Sequence, residues 1–201
     1  PAEVPGGDAE SDAVALDVWL AESAQIVADE LRVAGEEEPV WTFLPVQRAG
    51  FWARRRTHET LVHCADAALA AGIEFVADPL LAADCVDEWL EIVSSKEAAE
   101  RRPVMRTLSE RAGDTLHLHA TDTSEALDAE WLISLQDEGI HWQRSHEKAT
   151  VALRAPMADL LRVFFRRLPH TRDRVEVLGD ATLLDFWLER VQLRVTCVAA
   201  V

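Results

Sequence analysis

Glu59 and His63 stand four residues apart in the run Thr57-His58-Glu59-Thr60-Leu61-Val62-His63-Cys64-Ala65-Asp66. The surrounding pattern, from about residue 52 to 71, is helical and runs into Gly72, a residue type that tolerates the positive φ with which many helices end. On a helix this spacing puts the carboxylate and the imidazole on one face, one above the other. Such a pair can hold two corners of a divalent metal site, and a helix holds them more rigidly than a loop would. The same spacing also describes a solvated face carrying a weak side-chain pair. Leu61, Val62, Ala65 and Leu69 supply apolar neighbours, so part of the helix is expected to be buried. Asp66, three residues after His63, can accept the free ring N–H and orient the ligand.

A second place where residue types could bind metal lies downstream. From Thr115 the pattern alternates by two, with Leu116, Leu118 and Ala120 on one side and His117, His119 and Thr121 on the other. That is a strand with one buried face. Histidines at i and i+2 on a strand can share a metal, which makes this pair a rival site; its plain reading is a half-exposed polar face. Arg54, Arg55 and Arg56 either attract an anion or form a solvated flank of the helix. Arg166 and Arg167 close an apolar helical pattern, where basic side chains suit the negative end of the helix dipole.

The elements around these residues read in order. Residues 1–12 are rich in Pro, Gly, Ala and acids and read as a mobile connector. Ser11 or Asp12 caps a helix to about Ala34, whose stripe of Leu16, Leu20, Val27 and Leu31 is expected to pack, with Gly35 ending it. Trp41 and Phe43, in an extended segment over 40–45, are expected in the core or a pocket wall. Asp78-Pro79 starts a helix with proline at its first position. The polar run 94–102 follows, closed by Pro103. Strands are expected over 130–136, 140–144, 150–154 and 175–178, with helices from Met157 and over 181–191. The periodicity changes character after the second long helix, placing a domain boundary near residue 77 and hence domains 1–77 and 78–201.

Composition narrows the function classes. At 201 residues, 49% hydrophobic and 28% charged, the chain has the make-up of a globular protein with a real core. No apolar run approaches the roughly 20 residues that span a bilayer. A formal net charge of -16 argues against nucleic acid, whose phosphates call for clustered Lys and Arg. Cys64, Cys85 and Cys197 are odd in number and irregularly spaced, as free thiols in a reducing cytoplasm would be.

The run Gly50-Phe51-Trp52-Ala53-Arg54-Arg55-Arg56 and its continuation to Asp66 resembles the signature of the mycothiol-dependent maleylpyruvate isomerase family, within the wider group of DinB-like, metal-binding four-helix proteins. The likeness continues in Ala83-Asp84-Cys85-Val86-Asp87-Glu88-Trp89-Leu90, in Leu116-His117-Leu118-His119-Ala120-Thr121-Asp122, and in Asp159-Leu160-Leu161 through Phe165-Arg166-Arg167-Leu168-Pro169 to Gly179-Asp180. The resemblance implies an α+β chain: a helical DinB-like bundle followed by an α+β domain that resembles sterol-carrier-type folds. It implies a zinc-type site with three protein ligands, two of them matched by Glu59 and His63. The third, a histidine from an earlier helix, has no counterpart here and is expected upstream of Pro1. Cys64 stands where relatives often carry arginine.

An arginine of the C-terminal domain is implicated in the family's active site; Arg167 is the nearest match and Arg166 the second. The implied cofactors are a divalent metal, zinc, and mycothiol. The implied partners are a small-molecule substrate and that thiol, with no nucleic acid and no membrane, in the cytoplasm. The implied reaction is cis–trans isomerisation of an unsaturated dicarboxylate such as maleylpyruvate, or thiol transfer to an electrophile. In the isomerisation the thiolate adds to the double bond, the resulting single bond rotates, and elimination returns the thiol. A guanidinium such as that of Arg167 would clamp a substrate carboxylate with two hydrogen bonds. The alternative is a non-catalytic metal-binding or regulatory interaction module on the same fold.

Overall fold

In the computed structural model, residues 13–191 are described. The connector expected over 1–12 and Cys197 lie outside the described residues. The chain divides into two compact units, 1–57 and 58–201.

The first unit is helical. Helix α1, Ala13–Ala34, forms where the periodicity places it, and Gly35 ends it at φ 82. The expected packing is not seen: α1 buries none of its residues, and Leu16, Leu20 and Val27 are exposed. A helical stripe specifies which residues share a face, not what covers that face. Helix α2, Ala49–Ala71, begins in this unit. Before it the chain folds on itself, with Thr42 buried and accepting from the Gln47 side chain while its hydroxyl donates to Leu44 and Val46 carbonyls. Trp41 is exposed rather than in the core. Its ring meets Trp52, which donates to the Trp41 carbonyl, and Phe43 packs edge-on against Phe51 and Trp52.

The second unit is α+β. Asp78 caps helix α3, Pro79–Val93, by accepting from the backbone N–H groups of Leu80 and Leu81, the bonds an N-cap carboxylate is expected to make. The polar run beyond α3 is itself a short helix, α4, Lys96–Arg101, capped by Ser95. A 3-10 helix, Pro103–Arg111, follows. Five strands come next: β1 Thr115–Ala120, β2 Glu130–Gln136, β3 Gly139–Arg144, β4 Val151–Ala155 and β5 Glu176–Gly179. Helix α5, Met157–Phe164, crosses between β4 and β5, and α6, Ala181–Val191, comes last.

The sheet order is β3-β2-β1-β4-β5, with β1 and β4 parallel and the other pairs antiparallel. Register aligns Leu116 with Ile133 and Val151, and Leu118 with Trp131 and Leu153. Those side chains are buried, as are Leu160, Leu161 and Phe164 of α5 and Leu183, Leu184 and Trp187 of α6. Because side chains alternate across a strand, His117, His119 and Glu130 must occupy the opposite face. Gly179 closes β5 at φ 94, where an added Cβ would lie 2.3 Å from the Thr150 carbonyl oxygen. No other residue type fits that approach.

Among the ionic ties between elements distant in sequence is that of Arg111. Arg111 at the end of the 3-10 helix donates to Asp114 and, at 2.7 Å, to Asp180 ahead of α6. Asp180 also accepts from the Thr182 hydroxyl and N–H. Those Thr182 bonds, then Arg111, lower its pKa to about 2. A carboxyl whose folded pKa lies below its unfolded value, about 3.9, stabilises the fold above that value and loses the contribution as pH falls towards 2. Asp180→Asn is therefore expected to lower the melting temperature at pH 6, and to bring it close to that of the unsubstituted chain near pH 2. Thermal melts of both proteins across that range check it.

Candidate functional site

The candidate pair sits on the part of α2 that belongs to the second unit. His58, one residue before Glu59 and so about 100° from it around the helix, is buried. Its Nε2 lies 3.0 Å from Asp84 and its Nδ1 2.8 Å from Glu88, both on α3. This contact fixes the rotation of α2 about its own axis and leaves Glu59 and His63 turned outward.

Glu59 Oε2 and His63 Nε2 are 3.5 Å apart. Two ligands of a tetrahedral ion, at roughly 2.0–2.1 Å from it, would be about 3.3 Å apart. His63 Nδ1 lies 2.9 Å from Asp66 Oδ2. A carboxylate can only accept, so Nδ1 carries the proton, and in the neutral ring Nε2 then presents its lone pair on the Glu59 side. The His63 side chain is 60% exposed and that of Glu59 28%, so solutes reach the pair directly. The donor set, a carboxylate oxygen and an imidazole nitrogen with the second ring nitrogen held by a carboxylate, fits a zinc-type cation.

Arg167 enters this arrangement from the far end of the unit. Its Nε and Nη2 donate to Asp66 at 2.9 and 3.2 Å, and its Nη1 donates to the Phe165 carbonyl. The hydrogen bond from Arg167 is the main reason the Asp66 carboxyl is held below its ordinary pKa; burial opposes it and His63 adds to it. The backbone explains how Arg167 arrives there. Arg166 takes a left-handed φ of 61, its N–H bonds Val163 O, and the Arg167 N–H reaches back to Arg162 O. This is a Schellman ending with arginine at the position glycine usually fills. The reversal leaves Arg166 exposed and swings Arg167 onto α2. Arg166 and Arg167 also line a cavity of about 330 Å³ with His170 and Asp185. The crevice between Val62, Ala65, Leu161 and Phe165 is too tight for water.

His117 and His119 are joined by residues that sequence reading did not connect to them. Glu130 is the cross-strand partner of His119, and His146 follows β3. Glu130 Oε2 lies 3.0 Å from His117 Nε2, 3.1 Å from His119 Nδ1 and 2.6 Å from His146 Nδ1. Contrary to a half-exposed polar face, His117 is buried. Burial lowers its pKa despite the nearby Glu130 carboxylate. Burial would raise that of Glu130, but the His146 hydrogen bond and the charges of the three imidazoles bring it below the ordinary range. Only strand pairing reveals this group, because its members come from two strands and a loop. Cys64 is exposed and Cys85 buried. No helix among the described residues is long and apolar enough to cross a membrane.

A helical N-terminal part followed by a mixed sheet with helices, bearing residues able to bind a metal, defines an α+β protein of two-part design. Residues 2–68 match the family described as the mycothiol maleylpyruvate isomerase N-terminal domain, and residues 81–186 match its MDMPI C-terminal domain. The chain belongs to the mycothiol-dependent maleylpyruvate isomerase family. No curated protein matches it. Among solved structures, it is similar to a UbiJ-SCP2 ubiquinone synthesis protein at 14% identity and TM-score 0.37, over 56% of this chain and 94% of that one. A possible sterol carrier protein, TT1886 of Thermus thermophilus, gives 15% and 0.37 over 52% and 85%. Sterol Carrier Protein 2 Like 2 of Aedes aegypti gives 16% and 0.28 over 67% and 96%. At these scores the architecture rests on the strand order above.

Proposed function

We propose that the chain is a mycothiol-dependent isomerase or thiol transferase in which Glu59 and His63 hold a divalent cation, zinc by its donor set. The observation that carries this reading is the line Glu59–His63–Asp66–Arg167, which fastens a ligand-spaced pair to a side chain 101 residues beyond Asp66. A surface ion pair on a helix needs no such support. A divalent cation bound there would lower the pKa of a coordinated thiol, making thiolate available near neutral pH.

The residues of the chain have separate tasks. Glu59 supplies the carboxylate ligand and His63 Nε2 the imidazole ligand. Asp66 holds the proton of His63 on Nδ1, and Arg167 holds Asp66 ionised and in place. Arg167 is thus a positioning residue in this arrangement, with N–H groups beyond those bonded to Asp66 and Phe165 left to meet a substrate carboxylate. Arg166, exposed beside it, would draw an anionic substrate to the 330 Å³ cavity that both arginines line. The substrate is a small cis-unsaturated dicarboxylate such as maleylpyruvate, or another electrophile that accepts the thiol. The setting is the cytoplasm, and the boundary between metal-bearing and C-terminal domains lies near residue 77.

A second reading, a non-catalytic metal-binding or regulatory module, draws on the ligand count: among the described residues, no third His, Cys, Asp or Glu groups with Glu59 and His63. Metal analysis of the purified chain, together with turnover of maleylpyruvate with and without mycothiol, separates the two. Stoichiometric zinc and thiol-dependent turnover support the enzyme; metal without turnover supports the module.

Arg167→Gln tests the positioning role. Loss of such an outer partner is expected to cost roughly 10–100-fold in metal affinity or activity, while Arg167→Lys, which keeps the charge but not the fork, recovers only part of it. Competition with a chromophoric chelator reads the affinity, and an unchanged value in Arg167→Gln would remove Arg167 from this line.

A further inference from the structure

We infer that His117, His119, His146 and Glu130 form a second divalent-cation site, structural in character, on the sheet of the C-terminal part and separate from Glu59 and His63. Four ligand atoms, one from each residue, lie within 4.8 Å of one another. The three imidazoles surround the same carboxylate oxygen, Glu130 Oε2, at 2.6–3.1 Å. Their rings stand nearly perpendicular in pairs, at 85°, 90° and 73°, with centroids 5.6–5.9 Å apart. Edge-to-face rings are an ordinary aromatic contact; what marks this group is that one nitrogen of each ring is turned on the same Glu130 oxygen.

A buried atom gives the independent sign of a ligand. His117 Nε2 is buried and makes no hydrogen bond; Glu130 Oε2 is 3.0 Å away, but off the direction that a hydrogen bond requires. A buried polar nitrogen left in this way costs free energy unless something else satisfies it. A cation at the centre would satisfy it together with the other three donors, and each donor would need to move by no more than about 1 Å to reach tetrahedral ligand spacing.

The sequence positions explain why the group is held. His117 and His119 are on one face of β1, Glu130 is across from His119 on β2, and His146 comes from the segment after β3. A cation there would pin two strands and a loop together. The nearest register cation, Arg154 on β4 opposite His119, is paired with Glu176 and so adds little net repulsion. Three nitrogens and one oxygen select a first-row ion such as zinc over calcium or magnesium, and four protein ligands make a closed, structural set.

The test uses the untagged full chain, freed of metal and titrated with Co2+ and then Zn2+, with the double substitution Glu59→Gln/His63→Gln as background so that the two sites report separately. That background is expected to retain about one equivalent of four-coordinate Co2+, seen by its visible absorption, and to gain thermal stability on Zn2+. Adding His146→Ala, at a side chain 76% exposed, should leave the metal-free fold intact and weaken binding by roughly 100-fold or more, beyond the effect of losing an outer partner. Glu130→Gln should weaken it as well. Calcium and magnesium should not compete. Absence of Co2+ binding in the background, or an affinity in His146→Ala and Glu130→Gln no weaker than that of the background, would overturn the site. Neither result bears on Glu59 and His63, which the background lacks.

Discussion

Replacing His63 or Glu59 with glutamine is expected to lower thiol-dependent kcat/KM by about 10³-fold or more, while the melting temperature hardly moves. The size follows from what a cation contributes to activating a nucleophile, several kcal/mol, where each 1.36 kcal/mol is tenfold in rate. The small effect on stability follows from position. The His63 side chain is 60% exposed and Glu59 Oε2 lies 3.5 Å from its Nε2, a surface pair of a kind worth about 0.3–0.5 kcal/mol. Steady-state kinetics at saturating mycothiol, beside a thermal melt, reads both. The unusual combination of a silent fold and a silenced enzyme is what separates a ligand from a structural side chain. A fall of only two- or three-fold would show that the pair holds nothing the reaction needs.

The largest effect on stability is expected at Trp131. Its side chain is fully buried on β2, its indole N–H donates to Asp87 of α3 at 2.7 Å, and the Arg144 guanidinium lies 5.0 Å over its ring. Arg144 in turn donates to both Asp87 oxygens and to the carbonyls of Leu127 and Asp128. Trp131 thus fills the core between sheet and helix and closes a polar network at its rim. Trp131→Ala removes the ring from that space, a change that costs about 3–5 kcal/mol, a large share of the roughly 5–15 kcal/mol by which domains are stable. Trp131→Phe keeps most of the volume, and Asp87 keeps Arg144, so its cost should be about 1–2 kcal/mol. Urea denaturation followed by circular dichroism measures the two. Equal costs would mean that the hydrogen bond to Asp87, and not the packing, governs the site.

Much of the second unit could be read from local pattern. Strict alternation over 115–120 fixes which side chains of β1 face the helices, but not the strands beside it: Leu116 meets Ile133 and Val151 through a register set by the folded sheet. Asp78-Pro79 marked the start of α3, and Gly72 the end of α2 at φ 67. The polar run after α3 hid a short helix because its stabilising feature, Ser95 accepting from Ala98 N–H, is a single cap and not a periodicity. The first unit shows the opposite limit. The stripe of α1 has the spacing of a packed helix, yet Leu16, Leu20 and Val27 are exposed, since amphipathicity names a face without naming its cover.

The candidate sites divide along the same line. Glu59, His63 and Asp66 lie within eight residues, so helical geometry alone brings them together. The bond from Arg167 to Asp66 spans 101 residues and depends on a left-handed Arg166, a conformation that no arginine advertises. Glu130 reaches His117 and His119 only through the β1–β2 register, and His146 only through the return of the chain after β3. Sequence pattern could offer the two histidines but not their partners.

Whether Glu59 and His63 grip a cation that a thiol can reach decides the rest. Co2+-loaded protein titrated with mycothiol tests this directly, because a thiolate bound to Co2+ gives an intense near-ultraviolet charge-transfer absorption that imidazole and carboxylate ligands do not. The band is predicted to grow in with about one equivalent of thiol in the unsubstituted chain and in His146→Ala, and to be lost in Glu59→Gln/His63→Gln. A band that survives the loss of both residues, or that never forms in the unsubstituted chain, would contradict the claim.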